Sequence, residues 1–396
     1  MQMTAMPVWS KAPTINRYLL IALSLAMVLS VSGGTLVALL VILLWCCSGN
    51  FTEHFEEIKN NKVALAFIAF FLLNALGLIW TEDLKWGLRM LGKEWKILML
   101  PILMTAMKEE DSEYYISGFI AAMTLAHLIS YLNIMKVIQF TLMSHVFYNV
   151  LLAICIYFIL NRLIFGNQSR LYSILYLILF ISMSINMFVT IGRTGQVLYF
   201  LVIVIILFQY FESNRLKSVL ISALLIPLLF IAIYHTSSVF KARVDAVVDE
   251  VTTFRMNRPS KYVNDRITFY VNTMNIIRNN LLIGVGTGDF PREYNKINQS
   301  QTPDVVTTVN PHNNYLLVLA QFGIPGLWIL LSIFYFQIKC ALSTSGPSRH
   351  AKLALPIIFM TAMMTDSYLL GHSTCIVFVY LSAFLYKDCG RAGAFT

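Results

Sequence analysis

Apolar residues run along this chain in blocks rather than in alternation. Blocks lie at about 18–32, 34–47, 62–80, 94–107, 114–132, 145–161, 169–191, 195–211, 216–235, 313–338, 352–368 and 370–386, separated by short polar turns. A membrane-crossing helix needs about 20 mostly apolar residues, and blocks of this kind supply them. The pattern predicts an all-α polytopic membrane protein of about twelve transmembrane helices. The strongest blocks are 62–80, 145–161, 216–235 and 313–338. Lys11 and Arg17 precede the first block and Ser32-Gly33-Gly34 ends it, an arrangement shared with cleaved leaders. A second block follows at once, so the first reads as a span.

One region breaks the pattern. Residues 1–235 predict about nine spans, 236–312 form a long polar loop, and 313–396 predict three more spans and a C-terminal tail. Structureless loops of such length are uncommon in compact proteins and are often functional. Val244 to Phe254 reads as a short amphipathic helix. Asn264-Asp265 can cap a second one over about 266–278, with Ile267, Tyr270, Val271, Met274 and Ile277 along one face. Asn279-Asn280 can stop it. A glycine-rich turn follows, Leu281-Leu282-Ile283-Gly284-Val285-Gly286-Thr287-Gly288-Asp289-Phe290, then a polar stretch at 291–308 and Val309-Asn310-Pro311-His312-Asn313-Asn314-Tyr315 before a long apolar helix.

Composition sharpens this. Of 396 residues, 58% are hydrophobic and 12% charged, which excludes an ordinary soluble enzyme or a disordered chain. The net charge is +9, but the cations are scattered between blocks, so no nucleic-acid partner is expected. Lys and Arg in short loops mark the cytoplasmic side. With a cytoplasmic N-terminus, Lys11, Arg17, Lys59, Lys62, Lys108, Arg162, Arg170, Arg215, Lys217, Lys339, Arg349, Lys352, Lys387 and Arg391 share one side. Only Lys85, Arg89, Lys93, Lys96, Lys136 and Arg193 lie in the opposite short loops. Both termini are then cytoplasmic and the long loop external. Cys46, Cys47, Cys155, Cys340, Cys375 and Cys389 avoid that loop, so neither a disulfide framework nor a zinc site is expected.

A few residues stand out chemically. His312 sits at the start of a helix, whose partial positive charge attracts phosphate and keeps an imidazole neutral, as a general base requires. A plain helix-capping role is the alternative. Arg193 interrupts an apolar stretch between Gly192 and Gly195. An arginine there either snorkels or grips an anion through its bidentate fork. Arg266 begins the second loop helix. Lys85, Arg89, Lys93 and Lys96 recur about once per helical turn beside Trp86 and Trp95, as on a helix touching lipid phosphates. His372 shares the outer end of the last helix pair with Asp366. Gly284, Gly286 and Gly288 lack the βαβ or GK[ST] context of a nucleotide loop. They serve a tight turn or, less simply, a backbone nest for an anion. Asp265, Asp289, Glu293 and Asp304 form no paired Asp-x-Asp set, and no metal or other cofactor is expected.

Pro311-His312-Asn313-Asn314-Tyr315-Leu316, followed by Leu319, Gly323, Ile324, Pro325, Gly326 and Leu327, resembles the His-Asn-x-x-Leu…Gly-x-x-Gly signature of the O-antigen ligase and polymerase superfamily. Arg266 through Phe290 is similar to the family segment before it, although Asn279-Asn280 stands where many relatives have Asn-Pro. Ile191-Gly192-Arg193-Thr194-Gly195 resembles the family's arginine turn between two spans. The likeness spans about 185–340. It implies a metal-independent inverting glycosyltransferase in the Gram-negative inner membrane, with its site in the periplasm. The donor would be a glycan on undecaprenyl pyrophosphate, the acceptor a sugar hydroxyl of lipid A–core, and membrane lipids the surroundings. Arg193, Arg266 and His312 match the family's catalytic residues. Asn313, Asn314, Tyr315, Arg89 and Lys93 are candidates to bind substrate.

Other functions share this pattern in part. A polymerase would add the same donor to a second lipid-linked glycan, and a protein O-oligosaccharyltransferase would use Ser or Thr. The single outer loop and compact chain favour a ligase. A lipid-linked glycan transporter would show inverted repeats and midplane charges. The two halves here are not self-similar, and the notable charges gather at the outer face.

Overall fold

The computed structural model describes residues 12–255, 266–346 and 348–390. Its regular structure is helical, with no strand among the described residues. α1 (Ala12–Leu29) and α2 (Val31–Cys47) pack side by side, and α3 (Phe51–Asn60) turns away from α2 by 113°. α4 (Lys62–Leu76), α5 (Leu84–Glu94), α6 (Met99–Ala106) and α7 (Ser112–Ile134) follow. Then come α8 (His145–Phe165), α9 (Arg170–Val189), α10 (Arg193–Tyr210) and α11 (Arg215–Thr236). The polar loop carries α12 (Ser238–Arg255), α13 (Arg266–Asn279) and α14 (Phe290–Gln301). α15 (Asn314–Ser343), α16 (Ser348–Ala362) and α17 (His372–Leu385) close the chain.

Each apolar block carries a helix, but they are unequal. Seven helices among the described residues are long and apolar enough to cross a membrane, or eight if the bent α2–α3 pair is one span. α6 has eight residues and α17 fourteen. α8 and α17 form the centre, with Asn149–Ile159 and Ser373–Leu385 buried. α9 and α11 turn leucines and isoleucines outward, among them Leu171, Ile178, Leu220 and Leu224. Such faces suit hydrocarbon rather than water.

Several expectations need correction. Lys96 is buried rather than part of a surface row, because the chain leaves α5 at Trp95 in a tighter 3₁₀ turn that drives into the bundle. The buried face of α13 is Phe269, Asn272, Thr273, Ile276 and Ile277, while Val271 and Met274 are exposed. Aromatic packing of Phe269 on Tyr294 and His312 sets that face, not the count of aliphatic positions. The polar stretch after the glycine turn contains α14. Cys340 at the end of α15 and Cys389 are disulfide-bonded, Cα–Cα 5.6 Å, where no disulfide was expected. The expected Asn264-Asp265 cap, and the terminal cations Lys11 and Arg391, lie outside the described residues.

Candidate active site

The glycine turn comes first, because it holds α15 at the break near Gly323. Gly284, Gly286 and Gly288 have φ of 67°, 99° and 87°, values that favour glycine. The Val285 and Gly286 N–H groups donate to the carbonyls of Ala320 and Gln321 at 3.0 and 2.9 Å. The Thr287 N–H donates to Gly77 at 3.1 Å, and its hydroxyl to the Asn74 carbonyl at 2.6 Å. The Asp289 carboxylate accepts from the Glu82 and Asp83 N–H groups at 2.6 and 2.8 Å. The turn is therefore a staple joining α15 to the end of α4 and the start of α5. Its amides are engaged by protein carbonyls, which removes the reading of an anion nest.

α15 breaks at Gly323, φ 62° and ψ −159°, where the Ile324 N–H donates to the Leu281 carbonyl at 3.0 Å. Pro325 follows, unable to donate to the preceding turn. The glycines and the proline thus serve one junction between the loop and α15.

At its N-terminus α15 is fully capped. The Asn313 side chain accepts from the Tyr315 and Leu316 N–H groups at 3.0 and 3.1 Å, and the Asn314 N–H donates to Met363 at 2.8 Å. Asn313 Nδ2 donates to the Met364 carbonyl, buried Asn314 accepts from the Leu369 N–H, and the Tyr315 hydroxyl donates to Met360. All three side chains tie α15 to the segment around the α16–α17 turn. The helix end holds no open cradle of N–H groups, contrary to the idea that it would itself grip phosphate.

His312 precedes this cap with φ 54°, in the left-handed region that is uncommon outside glycine. The conformation is held on all sides. The Asn310 side chain accepts from the His312 N–H at 3.0 Å, the Tyr270 hydroxyl donates to the His312 carbonyl at 3.2 Å, and the ring stacks on Phe269. Nδ1 lies 3.2 Å from Asp366 Oδ2. The other Asp366 oxygen accepts from Asn310 Nδ2 at 2.9 Å and the Ser367 N–H at 2.7 Å. Burial pushes the Asp366 carboxyl upward, but the hydrogen bond and charge of His312, the Ser367 N–H and the Arg266 charge overcome it and hold the pKa below the usual value.

Arg266 and the start of α10 meet the same turn. Arg266 Nη1, from the first residue of α13, donates to the Thr365 carbonyl at 3.2 Å. Arg193 is the first residue of α10, and the neighbouring Thr194 hydroxyl lies 2.7 Å from that of Thr365. Gly192 and Gly195 let α10 close on Asn149 of α8, where a Cβ would stand 2.2 and 2.4 Å from Asn149 atoms. The turn 363–367 thus gathers the starts of α10, α13 and α15.

Arg89 and Lys93 do not join this group. The Arg89 guanidinium lies over Trp86, and Lys93 offers its carbonyl to Lys96. No hydrogen bond or ion pair links either one to His312 among the described residues. His372 begins α17, its Nε2 buried and without a partner among the described residues. Asp366 was noted in the sequence only as a neighbour of His372. Its signal was a carboxylate inside an apolar block, which is costly without a partner.

Among the described residues the protein is all-helical, with seven to eight helices long and apolar enough to cross a membrane and a His312–Asp366 pair beside Arg266 at the α16–α17 turn. Residues 177–331 match the family described as O-antigen ligase. No curated protein matches the chain. The matched segment contains Arg193, Arg266 and His312 and stops short of Asp366.

Proposed function

We propose that this protein is an O-antigen ligase. It transfers a glycan from undecaprenyl pyrophosphate to a sugar hydroxyl of lipid A–core at the periplasmic face of the Gram-negative inner membrane, both termini lying in the cytoplasm. The observation that carries the reading is the Asp366–His312 pair, with Arg266 bonded to the same turn, inside a chain whose central segment matches the family.

The chemistry follows from the residues. With Asp366 accepting at Nδ1, His312 keeps its proton there and presents Nε2 as a base. Nε2 takes the proton of the acceptor hydroxyl as its oxygen attacks the anomeric carbon. The bond from that carbon to the pyrophosphate oxygen breaks, and the leaving group departs with the electron pair. Attack from the opposite face inverts the anomeric centre. Asp366 stabilises the imidazolium that forms. Arg193 and Arg266 neutralise charge growing on the diphosphate, the kind of preorganised electrostatic help that contributes most to many enzymes. The sugar–pyrophosphate bond supplies the driving force, and no metal is assigned a role.

The test is transfer by purified protein from lipid-linked glycan to lipid A–core with chelator present. Product formed by wild type and lost in His312→Ala supports the reading. Wild-type extension of one lipid-linked glycan by another, with no attachment to lipid A–core, identifies a polymerase instead.

A further inference from the structure

A second arginine faces the same space as Arg193. α10, α11 and α12 enclose a groove of about 370 Å³ whose lining includes Phe200, Phe230 and Val247. Among the described residues its polar lining is Arg193, Gln196 and Arg243. α12 is pinned over it by Phe240, whose ring meets those of Phe188 and Phe230 at 5.3 and 5.2 Å. Arg193 and Gln196 lie in the first turn of α10 and Phe200 further along it, so the arginine end of the groove is the end nearest the α16–α17 turn.

Arg243 is half-buried and makes no ion pair or hydrogen bond among the described residues. A partly desolvated cation without a counter-ion is costly, and an anion bound beside it offsets that cost. Val247 and Val248 leave 43% and 60% of their surface open on the groove's flank. An apolar groove whose lining includes two guanidinium groups is complementary to a hydrocarbon chain that carries a compact, highly charged phosphate group.

We propose that this groove holds the prenyl chain of a lipid diphosphate, and that Arg243 positions the diphosphate together with Arg193. The assignment rests on the lipid-linked donor proposed above and adds to it a chain-binding groove and a residue for the head group. The guanidinium fork pairs with two phosphate oxygens at once, which an ammonium group does not.

The test uses the full-length protein in lipid nanodiscs, with glycan donors carrying a long or a short prenyl chain. Arg243→Gln should raise the donor KM about ten-fold or more, as expected for one charge-assisted contact, and by a larger factor than it lowers kcat. Arg243→Lys should recover part of the loss. Val247→Trp should raise KM for the long-chain donor and leave the short-chain donor unaffected. Undecaprenyl diphosphate binding, followed by native mass spectrometry, should weaken in Arg243→Gln and resist competition by phosphatidylglycerol. Unchanged KM in both groove variants, or equal displacement by phosphatidylglycerol, overturns the proposal. Failure of wild type to transfer any lipid-linked glycan would instead overturn the ligase reading, and Arg243-dependent binding of undecaprenyl diphosphate would still support the groove.

Discussion

The Asp366 carboxylate reaches Nδ1 of His312 at 3.2 Å while Asn310 and the Ser367 N–H hold its second oxygen. The carboxylate cannot rotate away without breaking those bonds, so it fixes both the plane and the tautomer of the imidazole. Asp366→Asn keeps the shape but can present an N–H to Nδ1, favouring the wrong tautomer. Glycan transfer should fall by about 10²-fold or more, and His312→Ala by about 10²–10⁴-fold. Initial rates with purified proteins check this. Full activity in Asp366→Asn would remove the orienting role.

The same carboxylate links stability to pH. Its folded pKa lies below its ordinary value of about 3.9. A depressed carboxylate contributes stability above its unfolded pKa and loses it as pH falls through the folded value. Wild type should therefore melt above Asp366→Asn at pH 7, with the gap closing below about pH 4. Thermal unfolding in detergent across this range reads it, and a gap unaltered by acid would contradict the assignment.

Arg266 bonds the Thr365 carbonyl while facing the Asp366 turn. Arg266→Lys retains charge and loses the planar fork. Transfer should drop by roughly 10-fold or more while the protein remains in the membrane, an effect of about one charge-assisted hydrogen bond. Wild-type rates in Arg266→Lys would show that charge alone suffices.

The glycine turn offers a packing test. A Cβ on Gly284 would stand 2.2 Å from the Gln321 carbonyl carbon, at φ +67°. Gly284→Ala should destabilise by roughly 3 kcal/mol, from combined clash and strain. Gly49 has φ +74° with open space around it. Gly49→Ala should cost only about 1 kcal/mol. Comparable melting temperatures for the two variants would argue against the staple.

Orientation is open to chemical labelling. Cys46 and Cys47 are exposed and unpaired at the end of α2. Val306 is exposed in the segment leading to His312. In intact spheroplasts an impermeant maleimide should modify Val306→Cys and spare Cys46 and Cys47. The reverse pattern would place the candidate site in the cytoplasm.

What the sequence revealed, and what it hid, divides by range. Apolar blocks carry local information, so helices appear in every block, and the stop at Asn279-Asn280 falls at the end of α13. Span length was less legible, because block 94–107 holds a buried Lys96 and only a short α6. Arg193, Arg266 and His312 stood out as polar interruptions with recognisable neighbours. Asp366 did not, since its partner is 54 residues away and nothing in an apolar block tells which histidine it meets. The face of α13 was misread because aliphatic spacing says nothing of an aromatic stack with His312. The Cys340–Cys389 bond, 49 residues apart, was invisible for the same reason.

The interruption at Gly323 divides α15 into a short outer rod, 314–322, and a longer inner one, 324–343. The inner rod is about 30 Å long at 1.5 Å per residue, the thickness of a bilayer's hydrocarbon. Under the proposed orientation the outer rod then stands proud of that layer and carries His312 at its tip. On the proposed function, the altitude at which a sugar changes carriers would then be set by this short helix. The lipid-anchored donor of that reading would present its first sugar within head-group depth, and everything beyond that sugar would be free to extend into open water, whatever its length.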